Sequence, residues 1–529
     1  MSRCRRNPQI THAWIIGADI SSLAAAVYLI HDARVPGPHV HIIANDCHPI
    51  NEIEKNGCLA KAANSGLEFV SCIIDRCTKQ LLSCVSGSTR LHGYVLGKIM
   101  NTKNGTDRKS FYFLKHGERG IRKLQQPLTQ LRLADRKDVL KVMLDEEKNL
   151  DSKSIEDCFK GSFIQSDLWQ LFSKRFALQP WHSATEFQRC LRKYLEEAQY
   201  SRVDQPAAAQ YIMESLQATV RDYLRKEGVN FWPRTLVSDL KLLTENSSTN
   251  VSMIEGTQNG KSFRIPITRE DIVLVALGST ISGSLAGSNG APPPPIPVRA
   301  DWIMNNSWSL WFKLAQISPE FGNPAAFCTH LSESKVEAFT VTLPGDGPNL
   351  YSYLAEQIGE GSSLIIPNSS WSLCLYLPSH PLGSEERTEV HNICGYGLTP
   401  EKFGNFIKKP MCCCAGQEIL SELLSHLGRG FDECLSTAIT IPLLMPLASA
   451  ALMRRNRDDR PHNIPQHTKN IGFIGAFSEI ADETVCGLEY CVRSAQIAVY
   501  GLMSLHQSLP NVKINAVAER YGKRNDCMA

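Results

Sequence analysis

The residues whose types and spacing most directly suggest chemistry stand in one turn, Gly17-Ala18-Asp19-Ile20-Ser21-Ser22. It follows the apolar pair Ile15-Ile16 and leads into the Ala-rich stretch 23–29. A strand, a tight turn and a small-residue helix open a βαβ unit whose helix N-terminus presents amide donors to a phosphate. The dinucleotide pattern is G-x-G-x-x-G, and only its first glycine, Gly17, is present. Asp19 stands where the backbone would approach a pyrophosphate, and Ser22 where the helix packs on the strand. A carboxylate there faces like charge: unit charges 4 Å apart repel by roughly 4 kcal/mol at an effective dielectric near 20. The same carboxylate is a good N-cap for the helix behind it. Both uses stay open from sequence. The acidic residue expected after the second strand, at 39–43, is Asp46, slightly late.

Other catalytic patterns are missing. There is no G-x-S-x-G elbow, no H-E-x-x-H and no P-loop, so serine hydrolase, zinc protease and NTPase chemistry lack support. The 18 cysteines are scattered without C-x-x-C pairing, and Cys412-Cys413-Cys414 are poorly placed to share one ion, so no metal site is expected. Reduced thiols and a cytoplasmic setting follow from that usage and from the lack of a signal-peptide pattern. A net charge of +3 and only one short basic cluster, at Arg3, Arg5 and Arg6, give no basis for nucleic-acid binding. Residues 434–453 are uncharged, but Pro442 and Pro446 favour a buried, broken segment over a membrane span. A peripheral membrane contact there stays open.

With 529 residues the chain can bury several cores. Strand–glycine turns at the start, at 272–279 and at 470–475 suggest an α/β fold. Its centre is a discontinuous Rossmann-like, dinucleotide-binding domain of the flavoprotein type, carrying helical and mixed α+β insertions. The expected division is a βαβ part at 1–81, a mainly helical cap at 82–228 and a return to the sheet at 229–280. A mixed substrate domain at 281–460 follows a Gly/Ser/Pro linker, then the last part of the sheet domain at 461–508 and a polar tail at 509–529. Apolar residues at helical spacing support helices at 135–144, 187–197 and 212–226, the last ending at Gly228.

Dispersed segments resemble the oleate hydratase family, also called myosin-cross-reactive antigens. They include 16–29, Phe176-Ala177-Leu178-Gln179-Pro180-Trp181-His182-Ser183-Ala184, 271–279, Gly395-Tyr396-Gly397-Leu398 and Lys409-Pro410-Met411. Asp459-Arg460-Pro461, 470–475 and Glu489-Tyr490-Cys491-Val492-Arg493-Ser494-Ala495 complete the set. The chain ends somewhat early for this family. The resemblance implies FAD as a structural or electrostatic group without net redox change, a fatty acid as substrate, a homodimer, and acid–base addition of water to a cis double bond. It places cofactor contacts at Gly17, Ala18, Asp19, Ser22, Asp46, Ala62, Ala63, Asn64, Ser279 and Gly475.

The family's catalytic loop, R-G-G-R-E, falls on Lys61-Ala62-Ala63-Asn64-Ser65. Ser65 takes the place of the Glu, and Glu68, one helical turn on, is a substitute base. The family's tyrosine segment falls on residues 210–215, where Tyr211 is the nearest tyrosine. The segment implied to hold the substrate carboxylate falls on 376–382: its three polar positions are Tyr376, Pro378 and Leu382, with His380 nearby. His182 is the remaining titratable pocket candidate, with a structural role between helices equally open. Altered or lost activity therefore stays open beside hydration: a different apolar substrate, or lipid binding without catalysis.

Overall fold

The computed structural model describes residues 6–44, 76–85, 111–114, 120–124, 130–199, 209–245, 248–297, 306–344, 350–378, 390–428 and 432–505. Asp46, Ala62, Ala63, Asn64, Ser65, Glu68, His380 and Leu382 lie outside these residues. Tyr211 lies in the helix Ala209–Lys226, its side chain outside the described set.

Five parallel strands form the central sheet, in the order Ile471–Ile474, Ile272–Ala276, Ala13–Ile16, Val40–Ile43, Asn230–Trp232. Alternation sorts its side chains. Ala13, Ile15, Ile42 and Leu274 face a layer made by the helices Ile20–His31 and Leu488–Leu502, where Ala24, Ala25, Ala26, Ala495 and Ala498 permit close approach. Trp14, Ile16, Val273, Val275 and Phe473 face the other way, into the core of the cap helices. Apolar residues cover both faces, as a buried parallel sheet requires. The chain leaves the Ala13–Ile16 strand toward Val40–Ile43 on one side and places Ile272–Ala276 on the other. Ligands of open α/β sheets bind at the carboxyl ends beside such a reversal. Gly17, Ser279 and Gly475 follow the carboxyl ends of three neighbouring strands there.

An eight-stranded sheet runs Leu285–Ala286, Ile439–Met445, Val336–Pro344, Val390–Gly397, Leu373–Tyr376, Ser363–Ile365, Phe111–Leu114, Ile121–Lys123. It is antiparallel except between Ser363–Ile365 and Phe111–Leu114. The Gly/Ser/Pro linker contributes its edge: Leu285 and Ala286 pair with Leu444 and Leu443, and the Gly287 N–H donates to the Pro442 carbonyl (2.9 Å). The apolar run at 434–453 contains an inner strand of this sheet, Ile439–Met445. Among the described residues no helix is long and apolar enough to cross a membrane. A third sheet is the meander Thr235–Glu245, Ser248–Gln258, Lys261–Pro266.

Candidate functional site

At the strand-to-helix turn Gly17 has φ +134°, and a Cβ there would come within 2.7 Å of both Ala276 Cβ and Ser22 Oγ. Glycine is therefore required by both conformation and space. Asp19 caps the helix: its carboxylate accepts from the Ser22 N–H (3.0 Å) and from the hydroxyls of Ser21 (2.8 Å) and Ser22 (2.7 Å). Gly475, φ +94°, closes the turn from the neighbouring strand, and a Cβ there would stand 3.6 Å from Asp19 Oδ2. Its N–H donates to Ser494 Oγ (2.8 Å). Arg221, on the Ala209–Lys226 helix, reaches the Ala18 carbonyl at 3.4 Å. Ser279 accepts, through its carbonyl, from Trp308 Nε1 (3.2 Å).

The structure thus gathers Gly17, Ala18, Asp19, Ser22 and Gly475 at one point. As it stands, the turn does not fit a pyrophosphate. A resident carboxylate takes the Ser22 amide and the two serine hydroxyls of the turn, and a second anion would meet its charge.

The second cluster lies between the cap and the eight-stranded sheet. In the 176–184 run, Ala177 ends the helix Asp167–Phe176 in the left-handed conformation (φ +53°). Several contacts then stitch the run to other elements. Gln179 Nε2 donates to the Leu398 carbonyl (2.7 Å), Trp181 Nε1 to the Glu333 carbonyl (3.0 Å) and the Ser183 N–H to the Leu452 carbonyl (2.9 Å). His182 is fully buried. Its Nδ1 accepts from the Gln179 N–H (3.0 Å), and its Nε2 lies 3.3 Å from Ser449 Oγ. Burial pushes its pKa down to about 3, so the ring is neutral. A neutral imidazole accepting at Nδ1 carries its proton on Nε2, so it donates toward Ser449.

Tyr376 and Pro378 are both buried. Tyr376 stands opposite Cys394 and Ser363 on the adjacent strands, and the Pro378 carbonyl accepts from the Tyr351 hydroxyl (2.9 Å). The ring partners of His182 are Gln179 and Ser449, so the structure does not join it to this pair. Lys174, on the Asp167–Phe176 helix, is buried on the same sheet and donates to Ser372 Oγ.

Sequence reasoning missed Arg221, Lys174 and a buried ionic network. Arg189 forks onto Glu147 (2.8 Å twice) and reaches Glu479 (2.6 Å). Arg455 donates to Glu186 (3.0 Å) and Glu479 (3.1 Å), and Arg460 to Glu186 (2.9 Å). Burial pushes the Glu186 carboxyl up, but Arg460, Arg189 and Arg455 outweigh it and hold the pKa at about 2. The available signal was charge within apolar stripes, since Glu186 and Arg189 share a helix with buried Phe187, Cys190 and Leu191. His31, Asp32 and Cys84 also bring ligand-type atoms within 4.8 Å of one another. Asp32 is already engaged there by His31 (2.7 Å) and the Tyr500 hydroxyl (2.6 Å).

A family model described as MCRA family matches residues 10–500, which takes in both clusters and the network. The chain belongs to the MCRA family. It is similar to an oleate hydratase of Streptococcus pyogenes serotype M49 (strain NZ131), 26% identical over 524 residues, covering 94% of this chain and 86% of the relative. A linoleate hydratase of Lactiplantibacillus plantarum is 24% identical over 544 residues, covering 92% and 93%. Among solved structures, a cyclohexylamine oxidase from Brevibacterium oxydans IH-35A aligns with a TM-score of 0.48 at 13% identity, covering 93% of this chain and 99% of that one. The MCRA match includes the 176–184 run and the Asp459-Arg460-Pro461 segment, so the contacts that dock the cap lie within the family region.

Proposed function

We propose that the protein adds water to a cis double bond of an unsaturated fatty acid. The observation that carries this reading is the extent of the family match, residues 10–500, supported by similarity to proteins named oleate and linoleate hydratase. Hydration is redox-neutral: the π bond breaks, one C–H and one C–O bond form, and the proton and hydroxyl both come from water. The protein must supply a proton donor on one face of the bond and a base that activates water on the other. In this reading Tyr211 is the donor and Glu68 the base. Ser65 orients water in this reading, since a serine hydroxyl does not by itself act as a base at neutral pH. His182, neutral and held by Gln179 and Ser449, positions the cap. FAD is the group the resemblance implies; with the Asp19 carboxylate in the turn where its phosphates would approach, no step is routed through it.

That same carboxylate favours a second reading, fatty-acid binding without turnover. Incubating the full-length protein with oleic or linoleic acid, followed by mass spectrometry, separates the two. Hydration is expected to give product heavier by one water. Binding without product selects the second reading, and absence of both overturns both.

A further inference from the structure

The first helix, Ile20–His31, starts at the Asp19 turn and ends where two other helices meet it. His31 is its last residue and Asp32 its C-cap. The rise of the helix puts them about 18 Å from the turn. Cys84 reaches this end from the helix Arg76–Val85, and Tyr500 from the helix Leu488–Leu502. A ring nitrogen of His31, a carboxylate oxygen of Asp32 and the sulfur of Cys84 lie within 4.8 Å of one another. His31 Nδ1 stands 2.7 Å from Asp32 Oδ1.

Three features fit this corner to a divalent ion that accepts sulfur. The first is spacing. Ligands of a tetrahedral zinc ion stand about 3.3–3.6 Å from one another, so shifts of about 1 Å shared among three side chains close the ring. His31, 45% exposed, has room to move and opens the corner to solvent. The second is support from behind. Asp32 Oδ2 accepts from the Tyr500 hydroxyl (2.6 Å), which in turn accepts from Gln496 Nε2 (3.3 Å) and Gln80 Nε2 (3.4 Å). Outer partners of this kind fix a ligating carboxylate and leave its other oxygen for the ion. The third is charge. The carboxyl end of a helix favours a cation. The charged group that bears on the Cys84 thiol is Asp32, whereas Arg34, two residues on, acts on Tyr223.

We infer that His31, Asp32 and Cys84 bind one zinc ion, with water in the fourth position. Binding releases the Cys84 thiol proton to solvent and replaces the His31–Asp32 hydrogen bond with two coordinate bonds. A nitrogen, oxygen and sulfur set selects zinc over magnesium or calcium, which take oxygen. The ion joins the first helix to the helix Arg76–Val85, whose Cys77, Leu81, Leu82 and Val85 already share its core. It is a clamp in the helical layer of the parallel sheet, remote from the Asp19 turn. Packing brings its ligands together, which is why the scattered cysteines show no metal-binding spacing.

The test adds cobalt, a coloured substitute for zinc, to the reduced, chelator-stripped full-length protein, and then adds zinc. One equivalent of cobalt is expected to give thiolate-to-cobalt absorption in wild type, and zinc to abolish it. Cys84→Ser should lose the band, and His31→Ala should weaken cobalt binding at least about tenfold. Saturating zinc should raise the melting temperature of wild type by about 2 °C or more and leave that of Cys84→Ser unchanged. His31 is exposed, so metal-free His31→Ala should melt with metal-free wild type, which separates a lost site from a lost fold. Absence of the band in wild type overturns the site. So does unchanged affinity in His31→Ala. A band and a zinc-induced rise that persist in Cys84→Ser also overturn it, marking an adventitious ion only, held by other cysteines.

Discussion

At Asp19 one carboxylate accepts from one amide of the first helix's terminus, the Ser22 N–H, and from the hydroxyls of Ser21 and Ser22, which puts a negative charge where a pyrophosphate would approach. Replacing it with glycine removes the charge and costs the helix only a few tenths of a kcal/mol in capping. Asp19→Gly is expected to bind FAD at least about tenfold more tightly than wild type in a fluorescence titration. A wild-type protein that purifies yellow, or binds FAD as well as the variant, would contradict the assignment. Glu186 is the complementary case, an anion that three buried arginines require. Glu186→Gln keeps the volume but leaves Glu479 alone to face the buried Arg455 and Arg460. A loss of about 3–5 kcal/mol is expected in urea unfolding, and a change under 1 kcal/mol would mean the arginines find other partners.

The elements carry the response to pH. At the start of the strands Ala13–Ile16 and Val40–Ile43, His12 and His39 stack at 4.3 Å, and Trp14 stacks on His41 at 3.9 Å. Burial first, then the neighbouring His12 and His39, pushes the His41 pKa down to about 4. Between that value and 6.5 the unfolded chain binds more protons than the folded one, so stability is complete above pH 6.5 and falls through this window. His182, at about 3, extends the same loss to lower pH. Glu186 joins below pH 4.5 as its carboxylate protonates toward about 2. Lys174 acts at the alkaline end: its pKa of about 8 lies below the usual 10.5, so stability rises with pH between those values. Thermal scans should show the melting temperature falling between pH 7 and 5, with a shallower fall in His41→Phe. A flat profile would exclude the histidine contribution.

Across the whole molecule, the α/β fold was legible where chemistry is local. The run Ile15-Ile16-Gly17 and the alanines at 24–26 specify a strand, a turn and a close-packed helix from a dozen consecutive residues. Asp19 was legible as an alternative, a repelling charge or a cap, and geometry supplies the capping contacts. Lys174 was not, because its partner Ser372 is 198 residues away and depends on a turn conformation that serine rarely takes. The arginine–glutamate network was hidden for the same reason, its bonded partners being up to 290 positions apart. The edge strand Leu285–Ala286 escaped because glycine, serine and proline around it read as linker, and pairing with Ile439–Met445 overrides local preference.

The span between Glu186 and Arg455, 269 positions, also has a meaning in time. Synthesis at about 5–20 residues per second leaves roughly 13–54 s between the appearance of the glutamate and that of the arginine. Over that interval the emerging helix Ala184–Gln199 holds its acidic group without Arg455, Arg460 or the strand Ile471–Ile474 that completes the parallel sheet. Docking of the cap is therefore among the last events of biosynthesis, and a ribosome stalled before position 455 would hold a nascent chain whose Glu186 and Arg189 still lack Arg455, Arg460 and Glu479.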